Sequence, residues 1–411
     1  MLAQRFGLPH LRGAGSFVAA TFIDTLGTGL FLPFSLLYFN KAVGLPLSTV
    51  GLALSLAMII TVPMVPVSGM LVDRFGAKRV VLASQLLQGV GFFGYLIVNS
   101  AAMLVGMALL VAAGQSLFWS AHFTLVAQVA TRQELDRWYG LAAATRNAGL
   151  GLGGLLAGVL VGANEVLGYH LIVIANGLSF FLAASLLLLG LRVPFPQRID
   201  STQKPGYHLV LRDRPFLLLA VANSIFALCS TLLTIGMPVY IAEALHAPLW
   251  VIGALIALST ALIATLQTVV VRLLEPYRRT RALALTGVLW GSWCALLALA
   301  LVLPQGLLLP SLFTAACVYA LAELIHDPTS NALAAEAGPD ALRGRYLAIF
   351  QLSWSIANIL APGLFTLLFT VHPAFPWLVM AALILFASMT ILWIEPHLPQ
   401  QAVRMRVRLI R

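Results

Sequence analysis

GMLVDRFGAKRV, residues Gly69–Val80, closes a run of about twenty apolar residues, and the chain turns there from almost no charge to Asp-Arg, Gly and Lys-Arg. A surface loop of a soluble protein can look like this, and so can a segment that needs charge at one face of a membrane. Composition decides between them. Of 411 residues, 60% are hydrophobic and only 9% are charged, and the mean hydropathy is +0.96. A soluble domain carries about 25% charged residues, enough to cover its surface in water. This chain cannot do that, and it reads as an integral membrane protein.

A bilayer core takes about 20 apolar residues per helix. That ruler places spans at 14–38, 48–72, 80–99, 102–130, 139–163, 169–192, 214–243, 249–274, 281–303, 308–335, 345–370 and 374–395. The opening MLAQRFGLPHLRGAGSFVAA sets basic charge before an apolar run, as a signal peptide does. The run continues to Tyr38 with no convincing cleavage site, so a retained first helix is expected. With the N-terminus in the cytoplasm, all but two of the 24 Lys and Arg residues fall on the cytoplasmic side. The exceptions are Lys41, outside, and Arg146, within a span. An even span count then puts both termini in the cytoplasm, in a multi-pass protein of the inner (plasma) membrane. The net charge of +10 is therefore a topology signal with some attraction to anionic lipid, and it argues against a nucleic-acid partner. Cys229, Cys294 and Cys317 lie in apolar segments at spacings unsuited to a metal site and read as packing residues. No cofactor or metal is implied.

The one long connection, VPFPQRIDSTQKPGYHLVLRD (193–213), is polar, bears proline and divides the spans six and six. The expected organisation is an N-terminal half, 1–192, a central cytoplasmic linker, 193–213, and a C-terminal half, 214–411. A faint internal repeat agrees with it, because RWYGLAA (137–143) and GRYLAIF (344–350) open the fifth and eleventh spans.

In this setting Gly69-x-Leu71-x-Asp73-Arg74-x-Gly76-x-Lys78-Arg79 resembles the signature loop between spans two and three of the major facilitator superfamily. It departs at Ala77, where a basic residue is more usual. The matching loop of the second half, RLLEPYRRTRA (272–282), keeps basic residues and lacks the Gly-x-x-x-Asp-Arg core. The resemblance implies an all-α membrane protein of twelve transmembrane helices in two six-helix halves, working by alternating access. It also implies that Asp73, Arg74 and Arg79 latch a cytoplasmic gate, with Glu134 and Asp136 as candidate partners. An ordinary positive-inside loop without a gating role remains the alternative.

Ionisable groups inside spans cost about 2.5–3.5 kcal/mol each even on the lenient insertion scale, so each one invites a functional hypothesis. Asp24, His122 and Arg146 all sit about 10–15 Å from the inner surface at 1.5 Å per residue. Asp24 is expected to pair with Arg146, with His122 nearby; the other reading is that each meets a local packing need. In the tenth span, YALAELIHDPTSN (319–331), Glu323, His326, Asp327 and Ser330 share one helical face. Pro328 is expected to break local helix hydrogen bonding and leave polar backbone facing a cavity, where a carboxyl group can bind and release a proton. The alternative puts this segment in the cytoplasmic interface. The arrangement from Glu323 to Pro328 also resembles the tenth span of bacterial efflux members of the superfamily.

Further polar and aromatic stripes suggest a central substrate cavity: Thr28, Phe31, Ser35 and Tyr38 in span one, and Gln115 and Trp119 in span four. Asn223, Phe226, Ser230 and Thr234 follow in span seven, then Gln351, Trp354, Ser355 and Asn358 in span eleven. Stripes at that spacing also serve as helix-packing glue. Gly149-Leu-Gly151-Leu-Gly-Gly154 matches a dinucleotide fingerprint in form, but it lies within a span with no preceding strand. RNAGLGLGGLLAG (146–158) instead resembles the glycine-rich fifth span of antiporter members, with Leu155 near the place of the usual proline. The fourth-span arginine common among proton-coupled exporters is missing from LLVAAGQS (109–116).

The expected function is proton-coupled export of small amphipathic organic molecules, drugs or natural products, by a monomer whose partners are that substrate, protons and the lipid bilayer. Asp24, Arg146, Glu323, Asp327, His122 and His326 are the candidates for proton coupling. Symport of a polar metabolite is the runner-up. An intramembrane enzyme built on His326, Asp327 and Ser330 is a third reading, which lacks any nucleophile motif, metal cluster or phosphate loop.

Overall fold

The computed structural model describes residues 15–129, 135–191, 207–274, 276–339 and 342–404. Among them the chain is helical throughout and forms no strand. Its long helices are α1 (Gly15–Ala42), α2 (Leu47–Thr61), α3 (Met64–Phe75), α4 (Ala77–Tyr95), α5 (Ala101–Val129), α6 (Leu135–Ala163) and α7 (Glu165–Gly190). They continue as α8 (Arg214–Ala244), α9 (Trp250–Leu274), α10 (Arg279–Ala300), α11 (Gln305–Ala337), α12 (Arg343–Val371) and α13 (Phe375–Ile394).

Among the described residues, ten helical segments are long and apolar enough to cross a membrane. Two further expected spans take other forms. The second is α2 and α3, separated at Val62-Pro63, where proline cannot continue the helix ladder. The third is α4, which carries a polar face of Ser84, Gln85 and Gln88, all buried. Gly76 makes the single-residue turn from α3 to α4 at φ 83°, a conformation that favours glycine, so the second glycine of the signature loop has a backbone reason. No atom lies within 4 Å of where a Cβ on Gly69 would sit, so packing does not explain the first.

The contacts divide the chain into two units, one within residues 1–201 that also takes in 247–257, the other 202–246 with 258–411. In the first unit α1 packs on α6 and α7, and α4 packs on α5 and α7. In the second the same pattern recurs, with α8 on α12 and α13, and α10 on α11 and α13. The repeat extends to detail. Both α1 and α8 end in a π-helical turn, Tyr38–Ala42 and Tyr240–Ala244. Each turn begins with a buried tyrosine whose hydroxyl donates to a backbone carbonyl 57 residues onward, Tyr95 for one and Leu297 for the other. Left-handed residues follow at Gly44 and His246.

Glycines bring α1 and α6 together backbone to backbone. A Cβ on Gly149 would lie 2.9 Å from the Phe22 carbonyl oxygen, and one on Gly153 would lie 2.8 Å from the Leu30 nitrogen. From the other side, a Cβ on Gly29 would lie 2.8 Å from Leu150 Cα. Gly154 and Gly158 turn toward the first turns of α9, which belong by contact to the same unit, and meet Ile256 and Gly253. The glycine-rich stretch is thus a two-sided helix seam, the close-contact role that small residues play where no water drives association.

α11 runs unbroken through Pro328, although the proline removes a helix hydrogen bond there. The reason lies in one hydrogen bond. Proline at 328 has no N–H to give the Leu324 carbonyl, and Gln267 of α9 donates its side-chain amide there instead, at 3.2 Å.

Candidate functional site

In the first unit the polar centre is assembled by α1, α4 and α5. Asp24 is buried, and its Oδ2 accepts from Gln85 Nε2 at 3.1 Å. A cavity of about 10 Å³, the size that admits one water molecule, is lined by Asp24, Gln85, Thr21 and His122 among apolar neighbours. The His122 ring is sandwiched between Phe17 and Phe118, with centroids at 5.9 and 5.0 Å. Beyond it Trp119 stands edge-on at 6.0 Å, and the Arg146 guanidinium lies over the Trp119 ring at 5.0 Å. The expected Asp24–Arg146 pair is therefore not what forms. Gln85 takes the carboxyl group and the indole takes the cation, a contact worth about 0.5–2 kcal/mol depending on its desolvation. The structure does bring Asp24 and His122 onto one cavity.

In the second unit the centre is built by α8 and α11, with α10 alongside. Glu323 Oε2 accepts from Ser230 at 3.1 Å and from Tyr319 at 3.3 Å, and those two hydroxyls are 2.9 Å apart. One turn on, Asp327 is exposed, and its Oδ1 accepts from Asn331 at 3.0 Å. His326 does not share their face. It is fully buried, with Nε2 3.0 Å from Asn223 Oδ1 and its ring between Phe226 and Trp290, at 5.5 and 5.0 Å. The single face expected for Glu323, His326, Asp327 and Ser330 is thus split. The i to i+4 pair of carboxyls forms one stripe, while His326 and Ser330 point into the helix packing. Cys229 and Cys294 are buried free thiols beside each other, Cys229 also near Glu323, in the packing role expected of them.

The cavity candidates sort in the same way. Phe31 and Tyr38 belong to a closed aromatic cluster with Phe39, Phe92 and Tyr95, and Asn223 and Phe226 are buried against His326. These four serve packing inside their units rather than an accessible face. Gln115, Trp119, Gln351 and Asn358 are exposed, and Thr28 and Trp354 partly so.

At the ends of the helices, the side chain of Asp73 lies outside the described residues, as do those of Glu134 and Asp136, so the latch pairs are not among the described contacts. Arg74 is exposed, with its guanidinium 5.3 Å from the Phe75 ring. Arg79 is exposed as well. Lys78 caps a helix. Its Nζ donates to the carbonyls of Leu188 and Leu191 at 3.2 and 2.6 Å, which sets positive charge at the C-terminal end of α7. We expect Lys78→Met to lower stability by about 1.5–3 kcal/mol, the range for hydrogen bonds to a charged group. Amide exchange in the last turn of α7 should then rise with the rest of the helix unaffected.

The second unit does the equivalent work with different residues. Arg278 and Thr280, at the start of α10, both bond Glu395 at the end of α13. Arg279 is buried between Glu336, at 3.0 Å, and the carbonyl of Ala402. Sequence reasoning missed this network and missed Gln85 and Tyr319 as partners of the acids. The polar run Ser84-Gln85-x-x-Gln88 in an otherwise apolar span was a usable signal for Gln85. Nothing local marks Glu336 or Glu395 as partners of an arginine more than fifty residues away.

Comparison with known proteins agrees with this architecture. The model of the Major Facilitator Superfamily matches residues 17–322 and 219–406. A multidrug resistance protein, MdtH, of Escherichia coli O157:H7 (strain EC4115 / EHEC) is 24% identical over 375 residues, covering 90% of each chain. Among solved structures, the nucleoside transporter NupG superposes with a TM-score of 0.76 at 13% identity, covering 92% of this chain and 98% of its own. A POT family transporter in complex with 5-aminolevulinic acid does so with 0.73 at 12% identity, covering 94% and 96%. These structures share the fold with this chain. The relatives are transporters and not enzymes, and the chain is a multi-pass membrane protein that carries a small molecule. It belongs to the Major Facilitator Superfamily.

Proposed function

We propose that this transporter exports small amphipathic organic molecules across the inner membrane in exchange for protons, with both termini in the cytoplasm. The observation that carries the reading is a pair of membrane-embedded carboxyl groups, Asp24 and Glu323, each hydrogen-bonded to neutral side chains. Ionisable groups at such depth are expensive and typically mark proton or ion pathways. The likeness to a protein named for multidrug resistance supports an amphipathic cargo over a polar metabolite. So does the character of the exposed candidates, which offer Trp119 and Trp354 beside only a few amides. In this reading the halves 1–192 and 214–411, joined by 193–213, alternate access as a monomer, and the loop Gly69–Arg79 latches the cytoplasmic side.

The test uses purified protein in liposomes that hold a pH-sensitive dye, given a panel of lipophilic cations, neutral antibiotics and organic acids. At least one amphipathic panel member should move protons opposite to itself, with smaller proton flux in Asp24→Asn, Glu323→Gln and Asp327→Asn. Proton movement in the same direction as the cargo would establish symport and overturn export. Normal coupling in all three variants would remove these residues from the mechanism.

A further inference from the structure

A carboxyl group that takes up and releases a proton inside a membrane needs partners suited to both of its states. The ionised form only accepts hydrogen bonds, whereas the protonated form also donates one. A lysine or arginine serves only the first. Amides and hydroxyls serve both, because an amide can turn over and a hydroxyl can rotate.

Asp24 and Glu323 are each held by groups of the second kind. Gln85 gives Asp24 its Nε2, and its Oε1 is buried without a partner, so turning the amide over supplies the acceptor that a protonated Asp24 requires. Ser230 and Tyr319 donate to Glu323 Oε2 and accept from it on rotation about their C–O bonds. Neither carboxyl forms a salt bridge among the described residues. The titratable and charged neighbours of Asp24 are His122 on α5, across the small cavity, and Arg146 on α6, which lies on Trp119; α7 presents Asn176 and Ser179 to α1. Those of Glu323 are Tyr319, His326 and Asp327 on its own helix and Cys229 on α8, which in turn meets Cys294 on α10. α12 carries Arg343 and Arg345 only in its first turn.

The two places draw on the same trio of helices in each half, with the carboxyl carried by α1 in the first and by α11 in the second. Asp24, Gln85 and His122 come from α1, α4 and α5, while Ser230, Trp290 and the Tyr319–Glu323 turn come from α8, α10 and α11, which occupy the matching positions of the repeat. We propose that each half carries a proton site of its own, Asp24 in the first and Glu323 in the second, so that one transport cycle moves two protons. Gln85, Ser230 and Tyr319 are positioning residues. The two-proton cycle rests on the proton-coupled reading above; the two sites themselves do not.

Infrared titration of the purified full-length protein tests the sites without any cargo. Two carboxylic-acid C=O bands, apart from those of the solvent-exposed acids, should disappear as pH rises. Asp24→Asn should remove one and leave the other at its wild-type midpoint, and Glu323→Gln should do the reverse. Gln85→Leu, which leaves both acids in place, should move the midpoint of the Asp24 band by about one pH unit and leave the Glu323 band alone. The amide band of the same spectra reports whether each variant is folded. A single band, or the loss of both bands on one substitution, overturns the two-site assignment. Proton flux in liposomes without the two bands sinks this assignment and leaves proton coupling standing. Two bands without proton flux for any panel member sink the coupling, and the two-proton cycle with it.

Discussion

The double variant Asp24→Asn with Glu323→Gln is expected to carry its cargo down a gradient and never against one. In liposomes with the membrane potential held at zero and a pH difference of one unit, each coupled proton sustains about a tenfold accumulation of a neutral antibiotic, since 1.4 kcal/mol is a factor of ten. Two proton sites therefore give about 100-fold in the wild type, about tenfold in either single variant and about onefold in the double variant. Both substitutions keep side-chain volume and hydrogen-bonding capacity, so exchange of labelled for unlabelled antibiotic at equal pH should persist and certify the fold. An unchanged accumulation ratio in the double variant would place proton coupling elsewhere in the chain.

Gly153→Val should prevent the first unit from assembling. The α1–α6 contact has no slack at this position, where an added Cβ would fall on the Leu26 carbonyl oxygen and within 2.8 Å of the Leu30 nitrogen. Neither neighbour is a flexible side chain that can turn away. Overpacking a well-packed core costs about 1–3 kcal/mol, occasionally more, and here two helix backbones must separate along their contact. The readout is the yield of monodisperse protein after extraction, which should fall close to nothing. Gly106→Ala in α5 is the control, because no atom lies within 4 Å of the added carbon and alanine favours the helix. Normal yield from Gly153→Val would mean that α1 and α6 pack by other contacts.

The fold was legible because its strongest determinants are long-wavelength features of the sequence. Twenty-residue apolar runs, basic connections on one side and the Gly69–Arg79 loop need no knowledge of partners. The site was only partly legible. Asp24 and Glu323 stand out as rare charges in apolar spans, but their partners lie on other helices and are neutral, so no charge pattern announces them. The expected pairing of Asp24 with Arg146 rested on depth and on the neighbouring spans that the family resemblance implies; helix rotation, which neither reports, aims the guanidinium at Trp119 instead. Pro328 was only half legible for a related reason. A proline predicts one orphaned carbonyl, and whether the helix breaks depends on a donor such as Gln267 from a neighbouring helix. His326 was grouped with the acids by periodicity, yet one step along a helix turns a residue by about 100°, enough to exchange an open face for the core.

The paired tyrosine bonds bear on how two units can share one packing pattern with different sequences. Tyr38 and Tyr240 donate to main-chain oxygens, of a tyrosine in one half and a leucine in the other. A peptide carbonyl is supplied by every amino acid, so the accepting position is free to mutate while the bond survives. Only the donor is fixed. Joints of this kind hold a geometry without a matched pair of side chains, so two units can keep one packing pattern with few residues in common.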